Sequence, residues 1–529
     1  MKITHILLAA LTLTLILLSC NPSLPEQATE AGRVAAVYPA DNAGATLPPN
    51  IAPLNFRINE EGDGWLTHIY SDADREGMTL EGRDVDIPVD AWHALLEGAK
   101  GHQVHVDIYV DKKGEGWKRY NTLSYDIAPE PIDPYMTYRL IEPSYVDYEE
   151  LTINQRDLTS FDTRVVYDNM MLSDGDNGQC VNCHIPANYG RNGRSQFHVR
   201  QAMGGTVLID GKHITKVNLK TDSTLSAGVY AQWHPTEKFI AYSVNETGQV
   251  FHTRDVQKVE VIDYASDLVL YDVKANKVYD IDKRKDELET FPAWSPDGRT
   301  LYYTSAHLEQ QTGDIDNELD SAYQSLHYNI YARSFDTTTR RFGDRRLVFD
   351  AVAMGKSAAL PRVSPDGRYL LFSLADYGQF HVWHQSSDLW VVNLGNGYAT
   401  PLRAANSPKS DSYHVWSSNG RWVMFTSRRQ DGNYTRVYFA YFDRQGRVHK
   451  PFLLPQRRAD DDLRLFKSYN VPELMVRPVA VDAVDLSRAI RREATPASYG
   501  GSALLRHDGP SSRVTALPAN DSSRNRLYN

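Results

Sequence analysis

The sequence predicts a mainly β protein with three parts. These are an N-terminal β-sandwich, a short segment around a Cys-x-x-Cys-His run, and a β-propeller of about five or six blades. Three observations carry this. Val104, Val106, Ile108 and Val110 are apolar at every second position, the period of a strand with one buried face. A Pro-Asp-Gly-type turn between apolar runs recurs along the second half of the chain. Tyrosine (31) and tryptophan (9) are abundant, as suits aromatic strand residues.

The N-terminus reads as a targeting segment, residues 1–19. Ile6 to Leu18 is an apolar run broken only by Thr12 and Thr14, too short to span a bilayer and right for a signal sequence. It ends Leu17-Leu18-Ser19-Cys20, which resembles the lipobox of bacterial lipoproteins. The resemblance implies cleavage before Cys20, a lipid on its sulfur, and a membrane anchored through that lipid. Asn21 is not the aspartate that retains such proteins at the inner membrane. The expected location is therefore the outer membrane, facing the periplasm or the cell surface. Residues 20–32 are expected to be a tether.

Residues 33–128 read as an immunoglobulin- or fibronectin-like sandwich. Its strands are Val34–Tyr38, Leu54–Ile58, Trp65–Tyr70, Val104–Val110 and Leu123–Ile127, punctuated by Glu61-Gly62-Asp63-Gly64 and Lys113-Gly114-Glu115-Gly116. His105, Asp107 and Tyr109 take the face opposite the valines.

Residues 129–203 start with Pro129, Pro131, Pro134 and Pro143, and Glu149 to Asp162 is expected to hold a short helix. Then comes Cys180-Val181-Asn182-Cys183-His184, the spacing of c-type haem attachment. Two thiols add to the two vinyl groups of one porphyrin, and the next histidine sits under the iron. Cys180 and Cys183 are read as thioether anchors of one covalent haem c and His184 as the proximal ligand. Zinc and a disulfide are the alternatives. Zinc needs a second pair of ligands, and Cys20, the third cysteine, is assigned to lipid. The distal ligand is expected to be His198, with Met203 as the alternative and Met170 or Met171 behind it. Arg194 and Arg200 are candidates for the haem propionates. The segment is short for a free-standing cytochrome and is expected to pack on its neighbour.

Residues 204–480 carry the repeat. Its copies begin Trp233-His234-Pro235-Thr236-Glu237, Trp294-Ser295-Pro296-Asp297-Gly298-Arg299, Val363-Ser364-Pro365-Asp366-Gly367-Arg368 and Trp416-Ser417-Ser418-Asn419-Gly420-Arg421. Proline pre-sets the turn and glycine accepts positive φ. Each copy is followed by another strand or strand pair, which makes four strands, one propeller blade. Gly204–Leu219 supplies two more strands, expected to join strands from the C-terminal side, and 457–480 is expected to close the ring. Ser-Pro-Asp-Gly-Arg followed by an alternating apolar strand closely resembles the TolB-like propellers. The acid-rich stretch Gln310 to Ser325 lacks the central glycine of a calcium loop and reads as a solvated loop. Residues 481–529 read as a poorly ordered tail.

Together these features resemble an exported cytochrome-c-type lipoprotein with a TolB-like domain. The resemblance implies single-electron transfer or redox sensing at the envelope, with the propeller as docking platform for a redox or envelope protein. The alternative is a propeller scaffold of an outer-membrane complex in which the haem is structural. A net charge of −10 argues against nucleic acid as partner. No G-x-S-x-G elbow occurs, and the stretch after Gln456 is short for an α/β-hydrolase domain. An electron-transfer or binding protein is expected before a catalyst.

Overall fold

The structure is a computed structural model. It describes residues 22–40, 42–143, 150–172, 179–252, 254–255, 257–309 and 315–504. Cys20 and the signal run lie outside them. The chain divides into two compact units, one of residues 1–129 and 455–461, the other of 130–454 and 462–529.

The first unit contains the expected β-rich module. Gly64–Ser71 and Gln103–Lys112 pair antiparallel from Gly64↔Asp111 to Ser71↔Val104, and Leu123–Ile127 flanks them. The valines of the alternating run are buried as expected. The opposite face is not open, however: Asp107 is 4% exposed and accepts from Thr122 Oγ1 and Arg119 Nη2. Two features differ from the sequence reading. Thr29–Val34 is already a strand, so the tether stops short of residue 32. Val89–Gly98 is a helix, with Trp92, Leu95 and Leu96 buried at i, i+3 and i+4. Trp92 donates its indole N–H to Ile51 O at 3.1 Å.

The second unit is built from six sheets among the described residues. Sheet one holds Tyr135–Ile141, Thr152–Asp157 and Thr163–Asp168, completed by Ser468–Met475 from the far end of the chain. Sheet two is Gln179–Pro186, Arg194–Gln201, Gly205–Asp210 and His213–Asn218. Sheet three runs Val229–Trp233, Phe239–Phe251, Val259–Asp272 and Lys277–Asp282; sheet four runs Glu287–Trp294, Thr300–His307, Asn329–Asp336 and Arg341–Phe349. Sheets five and six begin with Ser357–Val363 and Asp411–Trp416. The strands Gln179–Pro186, Val229–Trp233, Glu287–Trp294, Ser357–Val363, Asp411–Trp416 and Ser468–Met475 touch one another in a closed cycle. They are the inner strands of a ring, and apolar layers fill the spaces between successive sheets.

The repeated turn knits this ring. Ser295, Ser364 and Ser417 each accept, through Oγ, the backbone N–H five residues on. Gly298, Gly367 and Gly420 have φ of 68°, 71° and 68°, the positive values that glycine tolerates. In the first copy His234 replaces the serine. Its Nδ1 accepts from Glu237 N, and its Nε2 lies 3.0 Å from Gly298 O of the next copy. Trp294 and Trp416 donate their indole N–H groups back to the preceding inner strand, at Gln232 O and Arg362 O.

Three expectations are corrected. Residues 129–203 are not a separate segment: they supply three strands of sheet one and two of sheet two. Within them Thr152–Asp157 is a strand, where a helix was expected over 149–162. Strands Gly205–Asp210 and His213–Asn218 join strands N-terminal to them on one side and, as expected, a C-terminal strand, Thr495–Pro496, on the other. Residues 481–504 are not a loose tail. Ala483–Ile490 is a helix capped by Asp482, and Thr495–Pro496 and Ser498–Ser502 add parallel edges to sheets two and three. Leu504 then bridges Phe342 of sheet four. Ser and Gly content suggested disorder, but backbone pairing to three exposed sheet edges orders the segment. Within the acid-rich stretch Ile315–Ala322 is a helix, and 310–314 lie outside the described residues.

Two predictions follow from this packing. Truncation after Glu493 removes backbone bonds such as Ala497 N to Asn218 O, Ala503 N to Asp280 O and Phe342 N to Ala503 O. At about 1 kcal/mol each and ~2–4 °C per kcal/mol, Tm falls by on the order of 10 °C with the β circular-dichroism spectrum retained. The second concerns Glu289, fully buried on an inner strand with neither carboxylate oxygen partnered among the described residues. Burial, and then Asp282, Asp267 and Glu287, push its pKa up to about 10. The native state therefore holds a proton that the unfolded chain releases above the ordinary value of 4.5, and stability is lost as pH rises from there towards 10. Glu289→Gln removes this loss. Its Tm advantage over wild type, measured from pH 5 to 9, grows with pH and corresponds to roughly 3 kcal/mol at pH 7.

Candidate functional site

Each of the six inner strands carries one residue more than its neighbour opposes, at a corresponding place. In sheets three, four and five the register shifts between Val229 and Gln232, Thr290 and Ala293, and Ala359 and Arg362. In sheet six it shifts between Ser412 and His414, and in sheet one opposite Thr137 and Arg139. In sheet two it shifts between Val181 and His184, inside the Cys-x-x-Cys-His run. Such bulges bend a strand and re-aim its side chains. Tyr230, Phe291, Leu360 and Val471 stand at these bulges with φ of 49°, 52°, 57° and 39°, a strained region for bulky residues.

The bulges surround a cavity of about 490 Å³, within the range of small-molecule sites. Cys180, Cys183, His184, His198 and Arg200 all border it. Cys180 pairs with Arg200 before the bulge, and His184 pairs with Phe197 after it. The extra residue thus turns both thiols to one side of the strand, which an i, i+3 pair in a regular strand does not reach. His184 lies on the other side, stacked on Phe197 at 6.4 Å between ring centroids. Both cysteines are free thiols. Burial raises the pKa of Cys180, which Arg200 and the Asn182 amide N–H, 3.5 Å from the sulfur, partly offset.

His184 is 5% exposed, and among the described residues neither ring nitrogen makes a hydrogen bond of good geometry, although backbone groups of Thr137 and Asn182 lie near them. Burial lowers its pKa to about 4, with Arg139 adding to the shift. His198 is lowered to about 3 by burial and Arg200, with Nδ1 3.3 Å from Thr206 Oγ1. Both imidazoles are neutral at pH 7, the state in which a ring nitrogen binds a metal.

The other expected residues lie elsewhere. Met203 packs, half-buried, on the apolar layer between sheets one and two and does not border the cavity. Met170 and Met171 are exposed, and the Met171 sulfur meets Ser487 Oγ at 3.9 Å. Arg194 pairs with Asp210 at 3.2 Å, away from the cavity. Of the two arginines only Arg200 borders the site. The sequence reading missed Arg139, Tyr230, Phe291, Arg362, His381 and Tyr413, which border it too. A usable signal was present: Phe291-Pro292, Leu360-Pro361 and Val471-Pro472 each put proline inside an apolar strand, which marks a bulge.

The residue types and the space are those a covalently held porphyrin needs, two thiols and a buried imidazole bordering one cavity, but His184 leaves the strand on the side away from the thiols. Among the described residues no three His, Cys, Asp or Glu side chains are grouped so that they could hold a single metal ion.

Residues 217–471 match the family model for the prolyl oligopeptidase N-terminal β-propeller domain. The second unit accordingly contains a β-propeller-type domain. No curated protein matches the chain. Among solved structures it is similar to TolB from Acinetobacter baumannii, at 13% identity and TM-score 0.39, over 73% of this chain and 85% of that one. It is also similar to an oligogalacturonate lyase from Vibrio parahaemolyticus, at 12% identity and TM-score 0.34, over 73% of this chain and 100% of that one.

The two buried histidines generate a prediction for the acid stability of the protein. Their folded pKa values lie below the ordinary value of 6.5, so their contribution to stability is full above pH 6.5 and is lost as pH falls towards 4 and 3. At pH 4.5 each costs on the order of a few kcal/mol relative to pH 7. His198→Gln flattens the acid limb of a Tm–pH profile, and an unchanged limb would show that His198 is not held neutral.

Proposed function

We propose that the protein is a six-bladed propeller that carries one covalent c-type haem in its central cavity and works in single-electron transfer or redox sensing. The observation that carries this is the place of Cys180-Val181-Asn182-Cys183-His184 on an inner strand, with both thiols and the buried His184 bordering one cavity. Cys180 and Cys183 would hold the porphyrin by thioether bonds, and His184 is the imidazole available to the iron. His198, which borders the same cavity, would be a second histidine available to it. When bound, the group supplies a one-electron couple. The chain's own residues do the rest. The bulge presents the thiols together, burial keeps both imidazoles neutral, and Arg139 and Arg200 bring positive charge next to Cys180. We further propose, from the lipobox resemblance, a lipid anchor at Cys20 in the outer membrane, with the propeller docking a redox or envelope partner.

A second reading is favoured by one observation. His184 and the two thiols lie on opposite sides of the strand, whereas Cys180 and Cys183 lie on the same side. On that reading the pair is a dithiol that closes to a disulfide in an oxidising compartment. The experiment that separates the two is a covalent haem stain of protein expressed with cytochrome-maturation machinery. Wild type stains and shows a reduced-minus-oxidised haem spectrum, while Cys180→Ala and Cys183→Ala lose most of the stain. An unstained wild type whose two thiols are blocked to alkylation until reductant is added would establish the dithiol instead.

A further inference from the structure

The cavity is cationic in an acidic protein. Among the described residues bordering it there are Arg139, Arg200, Arg362 and Lys220, and no aspartate or glutamate, although the chain has a net charge of −10. Arg362 is compensated from behind, since its Nη2 lies 2.9 Å from Glu473 Oε1. Arg139 is not. It is 8% exposed, and its Nε and Nη2 both donate to one neutral acceptor, Asn470 Oδ1, at 3.0 and 2.7 Å. Guanidinium stays charged at any accessible pH, and a buried charge with no counter-ion is unfavourable. Arg200 pairs across the strands with Cys180 and borders the cavity with no carboxylate against it among the described residues. The wall nearby is aromatic, with Tyr230 and Phe291 at 4.5 Å between ring centroids.

We infer that the cavity recognises a flat aromatic ligand through its carboxylates, with Arg139 and Arg200 as the receptors. This rests on the porphyrin reading for the identity of the aromatic part, but not for the anion. A guanidinium and a carboxylate form paired charge-assisted hydrogen bonds, and a ligand carboxylate against Arg139 would replace the missing counter-ion. The inference also assigns a task to Arg139, which lies forty-one residues before Cys180 in sequence and has no motif to announce it.

The test uses the full chain expressed without haem attachment and three probes: protoporphyrin IX, its dimethyl ester, and mellitate (benzenehexacarboxylate). Fluorescence titration is expected to show the free acid binding about tenfold or more tighter than the ester. Arg139→Gln keeps a donor for Asn470 and removes the buried charge, so it is expected to fold. Arg200→Gln changes a half-buried side chain and provides the second variant. Each is expected to erase most of the preference for the acid while leaving ester affinity within about twofold. Equal binding of acid and ester by the wild type would overturn the inference, as would a preference that survives both substitutions. If neither porphyrin binds but mellitate raises the Tm of wild type and not of the variants, the anion receptor stands and the porphyrin reading falls. If none of the three probes binds, the inference is wrong.

Discussion

One extra residue in each inner strand, repeated around the ring, is the constraint on which the site depends. A regular inner strand would alternate its side chains between the two flanking apolar layers and leave none for the centre. The bulge breaks this alternation at one level. It turns Tyr230, Phe291, Leu360, Tyr413 and Val471 out of the layers and towards the axis, where they border the cavity. In sheet two the same device acts on Asn182 and Cys183, and so brings both thiols to one side. The motif is thus not an insertion into the ring but one sixth of a feature that every sheet shares. The strain stored as positive φ at four of the bulges is held by the packed layers on either side.

The ring itself is closed by residues far apart in sequence. Ser468–Met475 pairs with Tyr135–Ile141 to complete sheet one. The Asn470–Arg139 hydrogen bonds cross that same junction, so a cavity-lining arginine is positioned by the closing strand. Outside, residues 495–504 run along the outer edges of three consecutive sheets and cover backbone groups that open edges would expose. Closure at the centre and lacing at the rim act on different strands of the same sheets.

Much of the fold was legible because it rests on local chemistry. The Ser-Pro-Asp-Gly turn declares itself through the hydroxyl that caps it and the glycine that needs positive φ, and the four copies located sheets three to six. What was not legible depends on partners distant in the chain. Thr152–Asp157 looked helical because its polar residues Asn154, Gln155 and Arg156 show no alternation, yet all three are buried in the sheet. Residues 481–504 looked disordered because Ser, Gly and Arg carry no pattern, and only the exposed sheet edges order them. At the site, the two cysteines and His184 were found by spacing. Arg139 was invisible because its role comes from burial and from a charge left uncompensated, neither of which has a sequence signature. Met203 and Arg194 were named by closeness to the motif along the chain, a poor guide where a hairpin carries successive residues to opposite faces.

The late arrival of the closing strand sets an order of events. During synthesis Gln179–Pro186 emerges long before Ser468–Met475, the inner strand that flanks it on one side. Until that strand docks, sheet one lacks its inner member and Cys180 faces an open arc rather than an enclosed chamber. Non-local pairings of this kind form last because the loop they close is the longest in the domain. Modification of the two thiols by any bulky agent therefore has a window, which opens when the motif has been made and shuts when the ring does. A chain that completes its ring first would bury Cys180 unmodified.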